Sequence, residues 1–405
     1  MPPSSARAAV LPRVCVVGSG TRFISGISYY TYFLAEALSE RYEMSVVLMR
    51  NLVPRRLYPG RSRVGAPITD LHASQVCPTF DGIDWHLVPS LARAGTFLRS
   101  QRPDVVVFQW WTGAVLPSFL YLQWLAHRIG ANVILEFHED QDTGESALPL
   151  VERIVRPCLR HLIGKSDHFV VHSEWDKVRL CAKFGLAATA VSVVPHGPYA
   201  MGNLSGDLEP GDATPRVEVF EDVITVLFFG TIRPYKGLED LIDAFDLLPR
   251  DDGKKWKLLV VGETWEGWEL PAQKIAASPF CRDIEFVNRY IADKEISGYF
   301  DRADIVALPY HRSSASGPLH VSMQRGLPVV VTDVGGLTEA AEGYAGTVFA
   351  PPRDPVALAG SIMAAVDLCD VQHVDPQTWD RTRHLFGIAI DGLIASGGAT
   401  GKRRR

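Results

Sequence analysis

Two cationic side chains, Arg233 and Lys236, stand three residues apart in the C-terminal half of the chain. They lie in a loop that follows an apolar run and leads into an amphipathic helical stretch. Pro234 and Gly237 would shape this loop so that both cations point the same way. Two fixed cations beside a helix N-terminus can stabilise the negative charge of a leaving diphosphate without a metal ion. Simple solvation is the alternative, because exposed Arg and Lys are common in loops.

A second loop, residues 310–318, is rich in small and hydroxyl-bearing side chains and also connects a buried run to a helical one. Pro318 suits the first turn of that helix, with Ser316 or Gly317 as its N-cap. Small residues let a ligand approach the backbone amides closely, as an anion or a sugar requires. The candidate ligand-binding residues of this loop are Ser313, Ser314, Ser316 and Gly317.

A glycine-rich loop follows the first apolar run of the chain and leads into a helical stretch near Gly26. A dinucleotide fingerprint would need glycine at Phe23, and no acid follows the second strand to hold a ribose. A nicotinamide or flavin cofactor is therefore not expected. Free N–H groups at this helix N-terminus can still face an anion, and a tight turn without a ligand is the alternative.

The chain alternates apolar runs rich in Val and Ile with amphipathic helical stretches. The runs lack period-two alternation, which is typical of parallel strands buried on both faces. The series stops over an acidic, glycine- and proline-containing segment and then restarts, which indicates two doubly wound α/β domains. The predicted units are an N-terminal domain over 1–202, a linker over 203–222, a C-terminal domain over 223–370, and a helix with a basic tail over 371–405.

The loops that follow the strands should carry the chemistry, because ligands of open α/β sheets bind outside the carboxyl ends of the strands. Two such domains predict a cleft between these edges. The predicted strands are 14–17, 45–49, 104–108, 133–136, 169–172 and 191–194, then 223–229, 257–261, 284–287, 305–308, 328–332 and 347–350. The predicted helices are 29–41, 116–129, 148–163, 174–184, 238–248, 294–302, 319–325, 355–368 and 379–395.

Composition excludes several classes of protein. The 405 residues carry 41 Lys and Arg against 46 Asp and Glu, a net charge of −5 that gives no footprint for nucleic acid. The six cysteines form no CxxC pair, so we expect reduced thiols in a cytoplasmic protein. No targeting segment is visible, and polar residues interrupt the most apolar window, 105–126, which predicts a buried strand and helix rather than a membrane span.

A metal site is not expected from local spacing. His138 stands among acids over 136–142, but no second histidine follows at helical spacing. His168 and His172 lie on a predicted strand, where histidines of the core or the cleft edge are the simpler interpretation. The adjacent Trp110 and Trp111 are predicted to be core residues, with sugar stacking as the alternative.

The segment from Arg50 to Arg63 contains five arginines and no acid. A solvated loop is one interpretation, because blocks of like charge are usually solvated. A site for a phosphorylated acceptor, or peripheral contact with an anionic membrane surface, is the other.

The assembled motifs resemble the retaining GT-B glycosyltransferases of family four. The C-terminal half carries the resemblance through FGTIRPYKGLEDLIDAF, WKLLVVG, ADIVALPY and RGLPVVVTDVGGLTEA. The N-terminal half matches more loosely through GSGTRFISGISYYTYFLAEAL, LEFHE and VVPHG. The similarity extends from about Val14 to Leu368 and implies an α/β fold of two Rossmann-like domains facing across a cleft.

The resemblance implies roles for particular residues. Gly26 would lie beside the donor diphosphate, and Arg233 and Lys236 would neutralise it in place of a metal ion. His138 corresponds to the family histidine that reaches the transferred sugar. The residues His196 and Gly197 would approach the cleft, and the pair Tyr290 and Ile291 would meet the nucleobase.

One departure from the family pattern concerns two glutamates that the family carries with seven residues between them. Aligned on Gly326-Leu327-Pro328, their positions are occupied by Ser313 and Val321. Serine can hydrogen-bond a hydroxyl group, whereas valine cannot hold a ribose. Glu339 stands in a different turn.

The sequence predicts an enzyme that moves a sugar from a nucleotide-sugar donor to an acceptor hydroxyl with retention of configuration. No cofactor or metal is expected, and the acceptor is a glycan, a lipid-linked molecule or a small molecule. A non-catalytic GT-B protein that binds a nucleotide or glycan, or supports a partner enzyme, is the first alternative. A sugar-nucleotide epimerase on the same architecture is the second.

Overall fold

The computed structural model describes residues 11–20, 26–51, 72–84, 87–138, 149–199, 223–250, 255–265, 267–313 and 315–399. The predicted linker, Ser314 and most of the segment from Arg50 to Arg63 lie outside these ranges. No helix of the described residues is long and apolar enough to span a bilayer.

The N-terminal sheet has seven parallel strands in the order β3-β2-β1-β4-β5-β6-β7. Every residue of β4 is buried, in agreement with a sheet covered on both faces. The strands are β1 Arg13–Ser19, β2 Glu43–Asn51, β3 Thr79–Asp84, β4 Val105–Trp110, β5 Asn132–Phe137, β6 His168–Val171 and β7 Val191–Val193. The helices of this half are α1 Ile27–Ser39, α2 Val88–Gln101, α3 Leu116–Arg128, α4 Pro149–Gly164 and α5 Glu174–Phe184.

The C-terminal sheet has six parallel strands in the order β10-β9-β8-β11-β12-β13. Its strands are β8 Val223–Phe229, β9 Lys255–Val261, β10 Ile284–Val287, β11 Ile305–Leu308, β12 Val329–Thr332 and β13 Thr347–Ala350. The remaining helices are α6 Leu238–Asp246, α7 Leu270–Ala277, α8 Asp293–Phe300, α9 Gly317–Gln324, α10 Gly335–Ala341, α11 Pro355–Ala365 and α12 Trp379–Ala399.

The predicted two-domain α/β fold is confirmed, and every predicted strand and helix has its counterpart. Four elements were not predicted from the sequence: β3, α2, α7 and α10. Strand β3 contains Asp81 and Gly82 and lies at the sheet edge, so its composition does not mark a strand. The paired tryptophans Trp110 and Trp111 are 5% and 6% exposed and contact Phe119, which confirms the core interpretation.

The final helix, α12, returns to the N-terminal half of the molecule. Trp379 Nε1 donates a hydrogen bond to the Pro198 carbonyl at 2.9 Å, and Thr382 Oγ1 donates to that of Pro195 at 2.9 Å. Farther along the helix, Asp391 accepts a hydrogen bond of 2.8 Å from the Tyr42 hydroxyl. Helix α12 therefore holds the segment that follows β7 in place through hydrogen bonds to its backbone.

In each sheet the strand order reverses beside the first strand of the domain. The reversal lies between β1 and β4 in one sheet and between β8 and β11 in the other. Loops leave such a point in opposite directions and open a crevice at the carboxyl ends of the strands. The fold therefore places two ligand-binding crevices in the molecule, one on each sheet.

Asp375, between α11 and α12, gives a prediction about stability. Its Oδ2 atom is buried and has no hydrogen-bond partner among the described residues. Burial raises the pKa of Asp375 to about 6, although the Gln377 N–H donated to Oδ1 opposes the shift. Because the folded chain holds this proton more tightly than the unfolded chain, Asp375 lowers the free energy of unfolding as the pH rises through about 4 to 6.

We therefore expect Asp375→Asn to raise the free energy of unfolding by about 1 kcal/mol near neutral pH and to give no gain below about pH 4. Urea denaturation at the two pH values measures the difference. Asp370→Asn, at an exposed carboxylate, is the control and should change little. A gain of the same size at both pH values would contradict the assignment to burial.

Candidate functional site

A cavity of about 470 Å³ lies between the two domains and is lined by residues of both. Its walls come from the segments that follow strands. Gly26 follows β1, His138 follows β5, Gly230 follows β8 and Gly262 follows β9. The cavity therefore occupies the carboxyl edges of both sheets, as the fold requires.

The cavity brings together nine of the residues predicted to form the site. These are Gly26, His138, His196, Lys236, Tyr290, Ile291, Ser313, Ser316 and Gly317. Three predicted residues are not part of this lining. Ser314 lies outside the described residues, Gly197 packs against Trp379, and Arg233 stacks on the ring of Trp265.

The side chain of Lys236 is the central cation of the site. Its Nζ donates a hydrogen bond to the hydroxyl of buried Tyr310 at 3.1 Å. Burial disfavours the charged form, but the influence of Tyr310 and Tyr235 outweighs it and holds the pKa of Lys236 above its ordinary value. Lys236 is therefore a fixed, fully charged group at the cavity wall.

Gly237 allows the cationic loop to sit against the end of β11. It has a φ of +61°, and a Cβ at this position would lie 2.0 Å from the carbonyl oxygen of Pro309. Glycine is the residue that tolerates both the left-handed backbone and the close approach. This close contact with Pro309 positions the loop so that Lys236 lines the cavity.

Arg233 stacks on an aromatic ring of the cavity wall. Its guanidinium carbon lies 4.1 Å from the centroid of Trp265, a cation–π geometry. The two predicted cations are therefore positioned differently, since Lys236 lines the cavity and Arg233 supports the wall through Trp265.

The hydroxyl-rich loop forms the start of α9, as predicted. Ser316 Oγ accepts a hydrogen bond from the Leu319 N–H at 3.4 Å and caps the helix. Ser313 Oγ donates to the Ala315 carbonyl at 2.8 Å. Val321, one turn into α9, lines the cavity and is 2% exposed, so the wall is apolar where the family pattern carries a carboxylate.

A group of buried histidines lies at the cavity floor, where His138 and His196 line the cavity and His172 packs against both. His138 and His172 are hydrogen-bonded through Nδ1 and Nε2 at 3.1 Å, and the His196 ring centroid lies 3.9 Å from that of His172. Beneath them, the carboxylate of Glu136 accepts hydrogen bonds from the Tyr30 hydroxyl at 2.6 Å and from Gln109 Nε2 at 3.1 Å.

The charges on this floor follow from burial and from mutual attraction. Burial lowers the pKa of His172 to about 3, and that of His196 well below its ordinary value, so both rings are neutral near pH 7. Burial alone would raise the pKa of Glu136, but His138, His172 and the Tyr30 hydrogen bond together lower it. Glu136 is therefore a buried carboxylate close to two imidazole rings, those of His138 and His172.

Two residues of α5 line the cavity but were not predicted. Trp175 lies in the first turn, and the Arg179 guanidinium carbon is 4.4 Å from its ring centroid. The signal available in the sequence is Ser173, directly before the helix, which caps it by accepting a hydrogen bond from the Asp176 N–H at 3.0 Å. A capped helix after a buried strand indicates that the start of α5 lies near the cleft. Which face of α5 lines the cavity depends on how the other domain packs against it.

Glu339 bridges the domains instead of facing the cavity. Its two carboxylate oxygens each accept a hydrogen bond of 2.6 Å, from the backbone N–H groups of Glu174 and Trp175. A carboxylate at a helix N-terminus is favourable because it satisfies free N–H groups and meets the positive end of the helix dipole. Glu339 is thus a cap supplied by α10 to α5 of the opposite domain.

The segment from Arg50 to Arg63 is described at its first two residues. Arg50 forms an ion pair with Asp84, which is 2% exposed, and Asn51 Nδ2 donates to the same carboxylate at 2.5 Å. Arg50 is therefore held at the end of β2. The other arginines of this segment lie outside the described residues, and their role stays a prediction.

Two Rossmann-like domains with a shared cavity at their carboxyl edges define a GT-B protein. Two family models match the chain: a "Glycosyl transferases group 1" domain over residues 223–367 and a "Glycosyl transferase 4-like" domain over residues 25–197. Together they span most of the chain, which belongs to the group 1 glycosyltransferases of family four.

Individual relatives agree with this assignment. A D-inositol 3-phosphate glycosyltransferase from Geodermatophilus obscurus is 26% identical over 253 residues, which cover 58% of this chain and 53% of the relative. The chain thus matches about half the length of this relative. Among solved structures, sucrose-phosphate synthase from Thermosynechococcus elongatus superimposes with a TM-score of 0.62 at 16% identity, covering 96% of this chain and 98% of that one. Anabaena HepE in complex with UDP-glucose gives 0.58 at 17% identity, covering 96% and 98%.

Proposed function

We propose that the protein transfers a sugar from a nucleotide-sugar donor to an acceptor hydroxyl group with retention of configuration. The position and the charge of Lys236 are the observation that supports this proposal. It is a charged group fixed by Tyr310 at the cavity wall, where the strand order of the C-terminal sheet reverses. An anionic donor would meet it beside the N-termini of α6 and α9.

In the proposed reaction the bond between the anomeric carbon and the diphosphate breaks as the acceptor oxygen attacks from the same face. The proton of the acceptor hydroxyl passes to the departing phosphate oxygen. Lys236 would stabilise the charge on that diphosphate directly, with Arg233 contributing from its position on Trp265 and no metal ion at the diphosphate. His138 would contact the transferred sugar from the floor of the cavity.

UDP-glucose is the donor to test first. The HepE structure with UDP-glucose supports a uridine donor, because its fold matches this chain over nearly its full length. The D-inositol 3-phosphate glycosyltransferases among the relatives support a phosphorylated polyol acceptor. Such an acceptor would find cationic groups at Arg179 and Arg312 in the cavity, and the segment from Arg50 to Arg63 remains the proposed contact for a phosphate or an anionic membrane surface.

The decisive experiment is a donor panel. We expect UDP, GDP or ADP release from the matching glucose donor to depend on an added acceptor such as an inositol phosphate, and to persist in EDTA because cationic side chains replace a metal. A coupled assay for the released nucleotide measures the rate. Release that ceases in EDTA and returns with Mg²⁺ would contradict the role given to the cations.

A non-catalytic nucleotide- or glycan-binding protein is the second candidate. Val321 favours it, because this position of the cavity wall cannot hydrogen-bond a ribose. Tight donor binding in calorimetry, without nucleotide release for any acceptor of the panel, would support this function. An epimerase would instead interconvert UDP-sugars without an acceptor, which chromatography of the donor would detect.

A further inference from the structure

Three histidines converge on the cavity floor from separate parts of the chain. His138, His172 and His196, the histidine cluster, lie after β5, β6 and β7, and each is at most 9% exposed. One ring nitrogen from each lies within 4.8 Å of the others. Sequence spacing did not predict this group, because its members are brought together by three neighbouring parallel strands.

The Nδ1 atoms of His172 and His196 are held by hydrogen-bonding groups outside the cluster. His172 Nδ1 donates to the Val194 carbonyl at 2.9 Å, which leaves the lone pair of the neutral ring on Nε2. His196 Nδ1 is 3.1 Å from the Tyr199 hydroxyl. Hydrogen bonds of this kind fix the tautomer and orientation of metal-ligating histidines.

Two nitrogens of the cluster are buried and lack a hydrogen-bond partner among the described residues. They are His138 Nε2 and His196 Nε2, and both rings line the cavity. A buried polar atom without a partner is costly. A metal ion bound by His138 Nδ1, His172 Nε2 and His196 Nε2 would satisfy the second of these atoms and leave a coordination position open toward the cavity.

The charge of the floor suits a divalent cation. The His172 ring directs the lone pair of Nε2 away from the Val194 carbonyl, and an imidazole nitrogen with a lone pair is the form that binds a metal. The Glu136 carboxylate lies 3.7 Å from His138 Nε2 and 3.8 Å from His172 Nε2. A cation held by the three rings would therefore compensate a buried negative charge.

The distances suit a small ion after a modest adjustment. Two imidazole ligands of a tetrahedral Zn²⁺ have nitrogens about 3.3 Å apart, since each Zn–N bond is about 2.0 Å. His138 Nδ1 and His172 Nε2 are already 3.1 Å apart. The widest separation, 4.8 Å, must close by about 1.5 Å, and nitrogen ligands select Zn²⁺ and related ions over Mg²⁺ or Ca²⁺.

We propose that the histidine cluster binds Zn²⁺, or a divalent transition metal of the same preference, at the floor of the cavity. His138 would bind the ion and would then not be available to the transferred sugar, the role proposed for it above. Zn²⁺ would therefore inhibit the transfer, a consequence that rests on the proposed function. The diphosphate would still be stabilised by Lys236 and Arg233, so the bound metal would be an inhibitor and not a cofactor.

Calorimetric titration of metal-free protein with Zn²⁺ tests the site without any assay of activity. We expect one ion per chain, with affinity about tenfold or more weaker in His172→Gln and in His196→Gln, and unchanged in the exposed control His384→Gln. Circular dichroism checks the fold of each variant. If either fails to fold, Tyr199→Phe, which removes the anchor of His196, should still weaken binding about tenfold.

Absence of a stoichiometric Zn²⁺ site in the wild type, or equal affinity in the folded cluster variants, would overturn the proposal. A cobalt spectrum typical of tetrahedral nitrogen ligation in the wild type, lost in the cluster variants, would support it. If Zn²⁺ binds and no donor reacts, the proposed function fails while the metal site stands. If a donor reacts, Zn²⁺ should inhibit the sugar transfer with the affinity measured by calorimetry, and EDTA should restore the rate. Zn²⁺ binding without inhibition would overturn the inhibitory role.

Discussion

Lys236→Met is expected to slow nucleotide release from the donor by about 10²–10³-fold, the usual consequence of removing one fixed group that stabilises developing charge. Methionine retains most of the apolar stem of lysine, so packing against Tyr310 should survive while the charge is lost. Because the diphosphate carries charge before and after the bond breaks, donor affinity should also weaken. Steady-state kinetics across a range of donor concentrations separates the two effects.

The control for this variant is Lys294→Met, which removes an exposed lysine from the same domain outside the cavity lining. It should leave both rate and affinity within about twofold of the wild type, because exposed charges interact weakly through water. An unchanged rate in Lys236→Met would show that this residue is not the group that meets the diphosphate. Arg233, which stacks on Trp265, would then be the next cation to replace.

Gly197→Ala is expected to lower the free energy of unfolding by about 3 kcal/mol and Tm by about 10 °C. A Cβ at Gly197 would lie 2.4 Å from Cδ2 and 2.5 Å from Cε2 of the Trp379 ring. The indole cannot move away freely, because its Nε1 hydrogen-bonds the Pro198 carbonyl. Thermal unfolding monitored by circular dichroism measures the loss.

A double-mutant cycle identifies the contact behind this loss. If the clash with the indole is the cause, Gly197→Ala should cost much less in a Trp379→Leu background than alone, since leucine leaves room for the added methyl group. Gly360→Ala, in α11, is the matched control, because a Cβ there meets no described atom within 4 Å, and alanine favours the helix. Equal losses in both backgrounds would contradict the packing role of Gly197.

This role of Gly197 illustrates how far sequence reasoning extends. The segment VVPHG predicted a pair of residues approaching the cleft, and His196 does line the cavity. Gly197 faces the opposite way, toward a helix that begins almost two hundred residues later in the chain. Nothing in the local pattern identifies that partner, because α12 crosses from the end of the C-terminal domain back to the N-terminal one.

Strand and helix patterns, by contrast, are local. Buried runs without alternation, Ser173 and Ser316 as helix caps, and the glycine at Gly237 are each legible within a few residues. The rule that ligands bind at the carboxyl ends of parallel strands then predicts, from the sequence alone, that Lys236 and the loop at Ser313 face one cleft. The edge strand β3 and the short helices α7 and α10 were missed because their residues carry little hydrophobic periodicity.

The sequence by itself therefore determined the two-domain α/β architecture and the loops that carry the cationic and hydroxyl groups, since both follow from periodicity and short-range spacing. The tertiary structure alone decided which side chains of those loops share a space. It placed Arg233 on the ring of Trp265, brought Glu339 to the first turn of α5, and assembled His138, His172 and His196 in one cluster. These contacts join residues far apart in the chain, so they depend on sheet order and domain packing, which no local pattern records.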